Sequence, residues 1–170
     1  MNPTHQGIYP DVPHRPTLAY TLTPHVGMLP IGERFLLWAL RQWQCEVAAW
    51  EAGRTLPAGG SALQHGFDVA GLRQGLPHFA MVMDTFLCSA TRPLEIYPSL
   101  APIVGPDEGT ILALLGLAQG GLDEPLAACF SAMLSPQSCA AAILQLKLLA
   151  RLMKEAGFES APCCCRSWLH

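Results

Sequence analysis

Residues 105–121 read GPDEGTILALLGLAQGG, and this stretch decides the fold class. Pro106 suits the first turn of a helix, and Gly120 suits its exit. Asp107 and Glu108 suit the positive N-terminal end of the helix dipole. After Glu108 the stretch carries no charge, and a helix that is apolar on every side is buried by other elements. The pattern therefore predicts a helix inside a helical domain.

The flanking sequence repeats this helical pattern on both sides. Toward the C-terminus, LDEPLAACFSAML (122–134) and SPQSCAAAILQLKLLARLMKEAGF (135–158) predict two helices, the second with Pro136 in its first turn and Gly157 at its end. Toward the N-terminus, GERFLLWALRQWQCEVAAWEAG (32–53) has an apolar stripe at helical spacing, ends at Gly53 and places Arg41 on a narrow polar strip. Two more helices are predicted at about 61–74 and 77–90, the first weakened by two internal glycines.

Proline-rich segments divide and precede these helices. TRPLEIYPSLAPIVGP (91–106) contains four prolines and predicts an extended connection, in which residues 94–97 have no evident strand partner. The first 30 residues contain six prolines and predict an extended or disordered arm without a helix. The sequence thus predicts an all-α fold, a compact bundle of about five to six helices. The predicted organisation is an arm at 1–30, a single helical domain at 31–157 and a Cys-rich tail at 158–170.

The charge content limits the function classes. Only 14% of the residues are charged, against about 25% in ordinary soluble domains, which predicts a surface partly covered by a partner subunit or by a membrane. The ten basic residues are scattered singly, so no basic patch is available for nucleic acid. The apolar run 109–122 is too short to span a membrane, and a helix start interrupts 126–146 at Ser135, so no membrane span is predicted.

Seven cysteines, an odd number without paired spacings, favour a reducing compartment and hence a cytoplasmic location. Three of them are adjacent in the terminal APCCCRSWLH (161–170). In an extended backbone Cys163 and Cys165 point to one side, where with His170 they could bind Zn or Cu. The alternative is a peripheral tail, because a structural zinc site normally has a second pair of ligands.

Three tryptophans on the helix at 32–53 are the candidate interface residues. Trp43 and Trp50 are seven positions apart and share a face, whereas Trp38 points elsewhere. Large aromatic residues dominate both protein cores and protein interfaces, so a bulky core and a partner-binding helix are both open readings.

Candidate catalytic groups have simpler structural explanations. The carboxylate pairs Asp107–Glu108 and Asp123–Glu124 fall at helix starts, where the dipole alone explains them. His65 and Asp68 share one helical face, but no nucleophile or third ligand accompanies them. No catalytic residues are assigned, and the motifs of the common nucleotide-binding folds and hydrolases do not occur.

The sequence therefore predicts a non-enzymatic soluble helical protein that acts as an interaction or regulatory module. Its predicted partner is a second copy of itself in a homodimer, or another protein. The alternative is a small-molecule or metal-binding helical protein, with the ligand held between helices or by Cys163, Cys165 and His170.

Overall fold

Six α-helices account for most of residues 24–54 and 60–161, the parts of the chain that the computed structural model describes. They are α1 (Ile31–Glu51), α2 (Ala62–Val69), α3 (Gly75–Ser89), α4 (Pro106–Gln119), α5 (Asp123–Met133) and α6 (Pro136–Glu155). These described residues contain no β-strand, only two isolated antiparallel pairings, His25 with Ile103 and Ala90 with Leu134. The predicted compact all-α fold is confirmed.

Helix α6 is the central packing element of the bundle. It packs against α3, α4 and α5, while α1 packs against α2 and α4. One continuous core of leucine, phenylalanine and other apolar side chains runs through all six helices. Helix α4 has buried residues along most of its length, which confirms that its charge-free sequence marks a buried helix.

Proline and glycine mark the helix ends at several of the predicted positions. Pro106 and Pro136 occupy the first turns of α4 and α6. Gly157 follows α6 with φ of +82°, the left-handed conformation that lets a helix end without a steric penalty. After α4 this conformation falls on Gly121 instead of Gly120.

Helix α2 is shorter than its predicted span. It ends at Val69, because Gly71 adopts φ of +69° and turns the chain there. Helix α3 then begins at Gly75, two residues before Pro77. The internal glycine thus acts as a stop signal for α2.

Short described segments on either side of the helices also pack onto the bundle. Val26–Met28 form a 3-10 turn in the arm predicted to lack helix, and Leu29 is buried in the core. Residues 158–161, here named the C-terminal strap, cross the start of α1. Phe158 packs on Phe35 with ring centroids 5.1 Å apart. The first residues of the predicted tail therefore lie against the domain.

No helix within the described ranges has both the length and the apolar character needed to cross a membrane.

Candidate functional site

The carboxylate of Glu108 is completely buried and paired with Arg41. Arg41 donates from Nε and Nη2 to Glu108 Oε1 and Oε2 at 2.8 and 2.9 Å, and only 4% of its side chain is exposed. Nη1 and Nη2 of Arg41 also donate to the carbonyl oxygens of Ala101 and Ile103, each at 2.7 Å. Glu108 in turn accepts the backbone N–H groups of Gly105 and of Tyr97. This ion pair holds the 91–105 connection against α1 and α4.

Asp107 also holds the 91–105 connection, because it binds Arg92 and the backbone of Glu95 in that segment. Arg92 donates from Nη1 and Nη2 to Asp107 Oδ2 and Oδ1 at 2.7 and 2.5 Å, and Glu95 N donates to Oδ2 at 2.8 Å. Burial alone raises the pKa of Asp107, but the hydrogen bonds from Arg92 and Glu95 and the Arg92 charge outweigh it, so the pKa is lowered from its ordinary value of 3.8. The hydrogen bond to Asp107 and its charge raise the pKa of Arg92.

Both carboxylates of the Asp107–Glu108 pair therefore stabilise the fold through tertiary contacts as well as through the helix dipole. Their three hydrogen bonds to backbone N–H groups replace the missing strand partners of the 91–105 connection. The prediction of Arg41 on a polar strip was wrong, because Arg41 lies at the buried junction of α1 and α4. No spacing in the sequence links Arg41 with a carboxylate 67 positions away.

Trp43 and Trp50 lie on one stripe of α1 but in different environments. Trp43 is buried, with 9% of its surface exposed, whereas Trp50 is 79% exposed. The fully buried residues of α1 end at Trp43, Val47 is still partly buried against the core, and the stripe is exposed at Trp50 in the last turn of the helix. Trp50 lies about 10 Å beyond Trp43, because a helix rises 1.5 Å per residue. The same apolar stripe of α1 is therefore buried in the core at Trp43 and exposed to solvent at Trp50.

We name this surface the Trp50 face, and it consists of Trp43, Val47 and Trp50 of α1. Leu87 of α3 lies beside its Trp43 end, where the two residues line a common cavity. Val47 between the tryptophans is partly buried against the core, and Leu87 is 59% exposed. An uncovered tryptophan that continues a core stripe is typical of a surface that binds another protein.

An open cavity of about 280 Å³ lies at the base of the Trp50 face. Both apolar and polar surface line it, and its polar side chains are Gln44 and Arg92. The apolar and backbone-contributing residues are Trp43, Phe86, Leu87, Ala90, Pro93 and Leu94. We name it the Trp43 cavity.

Trp38 lies away from this face, as predicted, and packs across α2. Its indole ring covers Gly66 so closely that a Cβ atom on that residue would overlap the ring. The indole is 37% exposed and packs against the Phe35 ring with centroids 5.7 Å apart and the planes tilted by 37°. Gly66, which weakens α2 as a helix, is thus the residue that allows Trp38 to pack.

Replacing Gly66 with alanine is expected to destabilise the protein by about 1–2 kcal/mol. The added methyl group forces the Trp38 ring outward, and this loss exceeds the helix-propensity gain of up to about 1 kcal/mol. Urea unfolding followed by circular dichroism measures the change. The matched control is Gln64→Ala in the same helix, expected to stay within about 0.5 kcal/mol of wild type. Equal stability of all three proteins would contradict the close packing of Trp38.

The other candidate residues do not converge on a reactive centre. Asp68 lies 3.6 Å from Arg73, and both it and His65 are exposed. Of the described cysteines, Cys139 is buried, Cys129 is partly buried, and Cys45 and Cys88 are exposed. Within the described ranges no three His, Cys, Asp or Glu side chains are grouped to hold a metal ion. The predicted metal ligands Cys163, Cys165 and His170 lie outside the described residues.

No family model matches the chain, and no curated protein and no solved structure is significantly similar to it.

Proposed function

We propose that this protein is a non-enzymatic interaction module that forms a homodimer through the Trp50 face. The observation that carries the proposal is the 79% exposure of Trp50 on the same stripe that buries Trp43 in the core. Truncating a large aromatic residue in the centre of an interface commonly has the largest effect on binding. Association would cover the apolar stripe that the rest of the bundle leaves open.

The charges beside Trp50 favour a second copy of this chain as the partner. Glu51 and Arg54 follow Trp50, are both exposed and have opposite signs. A two-fold axis brings the same patch of each subunit together, so each glutamate can face the partner's arginine. A face with both signs is complementary to itself, whereas a face of one sign would repel its copy.

The low charge content supports the same proposal. Only 14% of the residues are charged, so few ionic side chains are available to solvate the surface of a monomer. The proposed dimer requires no charged side chain to be buried without a partner.

Replacing Trp50 with alanine is expected to weaken self-association at least about tenfold, because central interface tryptophans are typical hot spots. Sedimentation velocity over the micromolar concentration range measures the monomer–dimer equilibrium. Helix α1 should remain folded, since Trp50 contributes little to the core.

The matched control is Leu144→Ala on α6, another exposed large apolar residue away from the Trp50 face. This variant should associate as the wild type does. A wild-type protein that stays monomeric throughout, or two variants that associate equally, would overturn the proposal.

A further inference from the structure

Two arginines of this protein use different edges of their guanidinium groups. Arg41 binds Glu108 with its side edge, formed by Nε and Nη2. Arg92 binds Asp107 with its end edge, formed by Nη1 and Nη2, and Nη1 also donates to Pro93 O at 3.1 Å. A guanidinium carries five N–H donors in a fixed planar fork, and either edge matches a carboxylate.

The side edge of Arg92 is therefore unoccupied. Among contacts with the described residues, its Nε–H and its second Nη2–H have no acceptor. The side chain is 64% exposed and lines the Trp43 cavity. Within the same molecule, the equivalent edge of Arg41 shows the group that fits this fork, the carboxylate of Glu108.

The cavity beside this edge has the properties of a small apolar site. The rings of Trp43 and Phe86 and the side chains of Leu87 and Leu94 supply its walls. Its volume of about 280 Å³ lies near the lower end of ligand pockets, about 300–1,000 Å³, which suits a single ring or a short branched chain. Apolar side chains combined with the charged Arg92 fork and the neutral Gln44 amide favour a ligand with an apolar body and one anionic group.

We propose that the Trp43 cavity binds small monocarboxylic acids with an apolar body. The carboxylate binds the Nε and Nη2 edge of Arg92, and the apolar body contacts Trp43, Phe86 and Leu87. Asp107 stays on the opposite edge and holds the guanidinium in place. The nearby carboxylate of Glu95 also acts on Arg92 through its charge, so it competes with the ligand without forming a hydrogen bond.

The probe for this site is 3-phenylpropionate, with the uncharged 3-phenylpropanamide of the same shape as its control. Titration of the full chain is followed by NMR at the Nε–H resonance of Arg92 and the indole N–H resonance of Trp43. The acid should bind with a dissociation constant on the order of 1 mM, as expected for a ligand of this size. The amide should bind about fivefold more weakly, because an exposed ion pair adds only a modest gain.

Three variants test which side chains cause the preference for the acid over the amide. Arg92→Lys keeps a charge opposite Asp107 but lacks the fork, and should bind acid and amide nearly equally. Glu95→Gln removes the competing charge and should bind the acid more tightly. Arg73→Gln removes an exposed arginine outside the cavity and should behave as wild type.

Equal binding of acid and amide by the wild type, no shift at Arg92, or unchanged acid preference in Arg92→Lys would each overturn the proposal. The proposed dimer and the proposed ligand both use Trp43, so a dimer would cover the cavity. Titration of the Trp50→Ala chain, which is expected to associate more weakly, therefore tests acid binding apart from self-association. A Trp50→Ala chain that no longer dimerises but still binds the acid would support the carboxylate site. A wild-type chain that dimerises while neither chain binds the acid would support only the dimer.

Discussion

Replacing Glu108 with glutamine is expected to lower the free energy of unfolding by about 3–5 kcal/mol, the usual cost of removing one partner of a buried ion pair. The change preserves the shape of the side chain but leaves the Arg41 charge buried and uncompensated, with 4% of that residue exposed. Urea unfolding monitored by circular dichroism measures the loss.

The matched control is Asp123→Asn, the same chemical change in the exposed pair that Asp123 forms with Lys147 at 2.9 Å. Exposed pairs contribute at most about 1 kcal/mol, so this variant should remain close to wild type. Similar losses in the two variants would contradict a special role for the buried pair.

Substituting both Arg41 and Glu108 by apolar residues should not restore stability here. Buried ion pairs can often be replaced by well-packed hydrophobic residues at no cost. In this protein the pair also binds Ala101 O, Ile103 O and two backbone N–H groups of the 91–105 connection. An apolar pair would leave these four buried or half-buried backbone groups without partners.

Replacing Gly32 with alanine is expected to destabilise the protein by about 2–4 kcal/mol. The new Cβ would lie 2.6 Å from the carbonyl oxygens of both Phe158 and Glu159, so the C-terminal strap must move. Overpacking of this kind costs about 1–3 kcal/mol, and polar groups that lose their partners add about as much. Thermal and urea unfolding measure the total.

The polar groups that would lose their hydrogen-bond partners are those that hold the C-terminal strap. Gln119 donates to Phe158 O at 2.9 Å and accepts Ser160 N at 2.8 Å, and Glu33 accepts Ala161 N at 2.9 Å. Faster hydrogen exchange at Ser160 and Ala161 should therefore accompany the loss of stability in Gly32→Ala.

The control for Gly32 is Gly27→Ala, whose Cβ meets only His25 Nδ1 at an ordinary 3.5 Å. That variant should stay within about 0.5 kcal/mol of wild type. Unchanged exchange at Ser160 and Ala161 in Gly32→Ala would show that the strap does not depend on this glycine.

Local sequence was sufficient to predict the helices because their signals act over a few residues. Pro106 and Pro136 fix the backbone of a first turn, and Gly157 permits the left-handed exit. The charge-free run after Glu108 correctly predicted a buried α4. The end of α2 was missed because Gly71 counted only as a weak helix former, although its positive φ ends the helix.

The sequence predicted the directions of the three tryptophans but neither their burial nor the cavity beside them. The tryptophan spacing correctly separated Trp38 from Trp43 and Trp50, since helical periodicity fixes direction. Periodicity does not state where neighbouring helices end, so it did not distinguish buried Trp43 from exposed Trp50. The sequence also did not predict the Trp43 cavity, because its walls come from α1, α3 and the residues that follow α3, which are distant from one another in the chain.

By itself the sequence determined the helices, their class of fold and the face on which each tryptophan lies, because propensity, capping and periodicity are local. Only the tertiary structure decided that Arg41 meets Glu108, that the C-terminal strap needs Gly32 and that α1 extends past its cover at Trp50. Each of these depends on a contact between residues distant in sequence or on the length of a neighbouring element, and no local spacing specifies either.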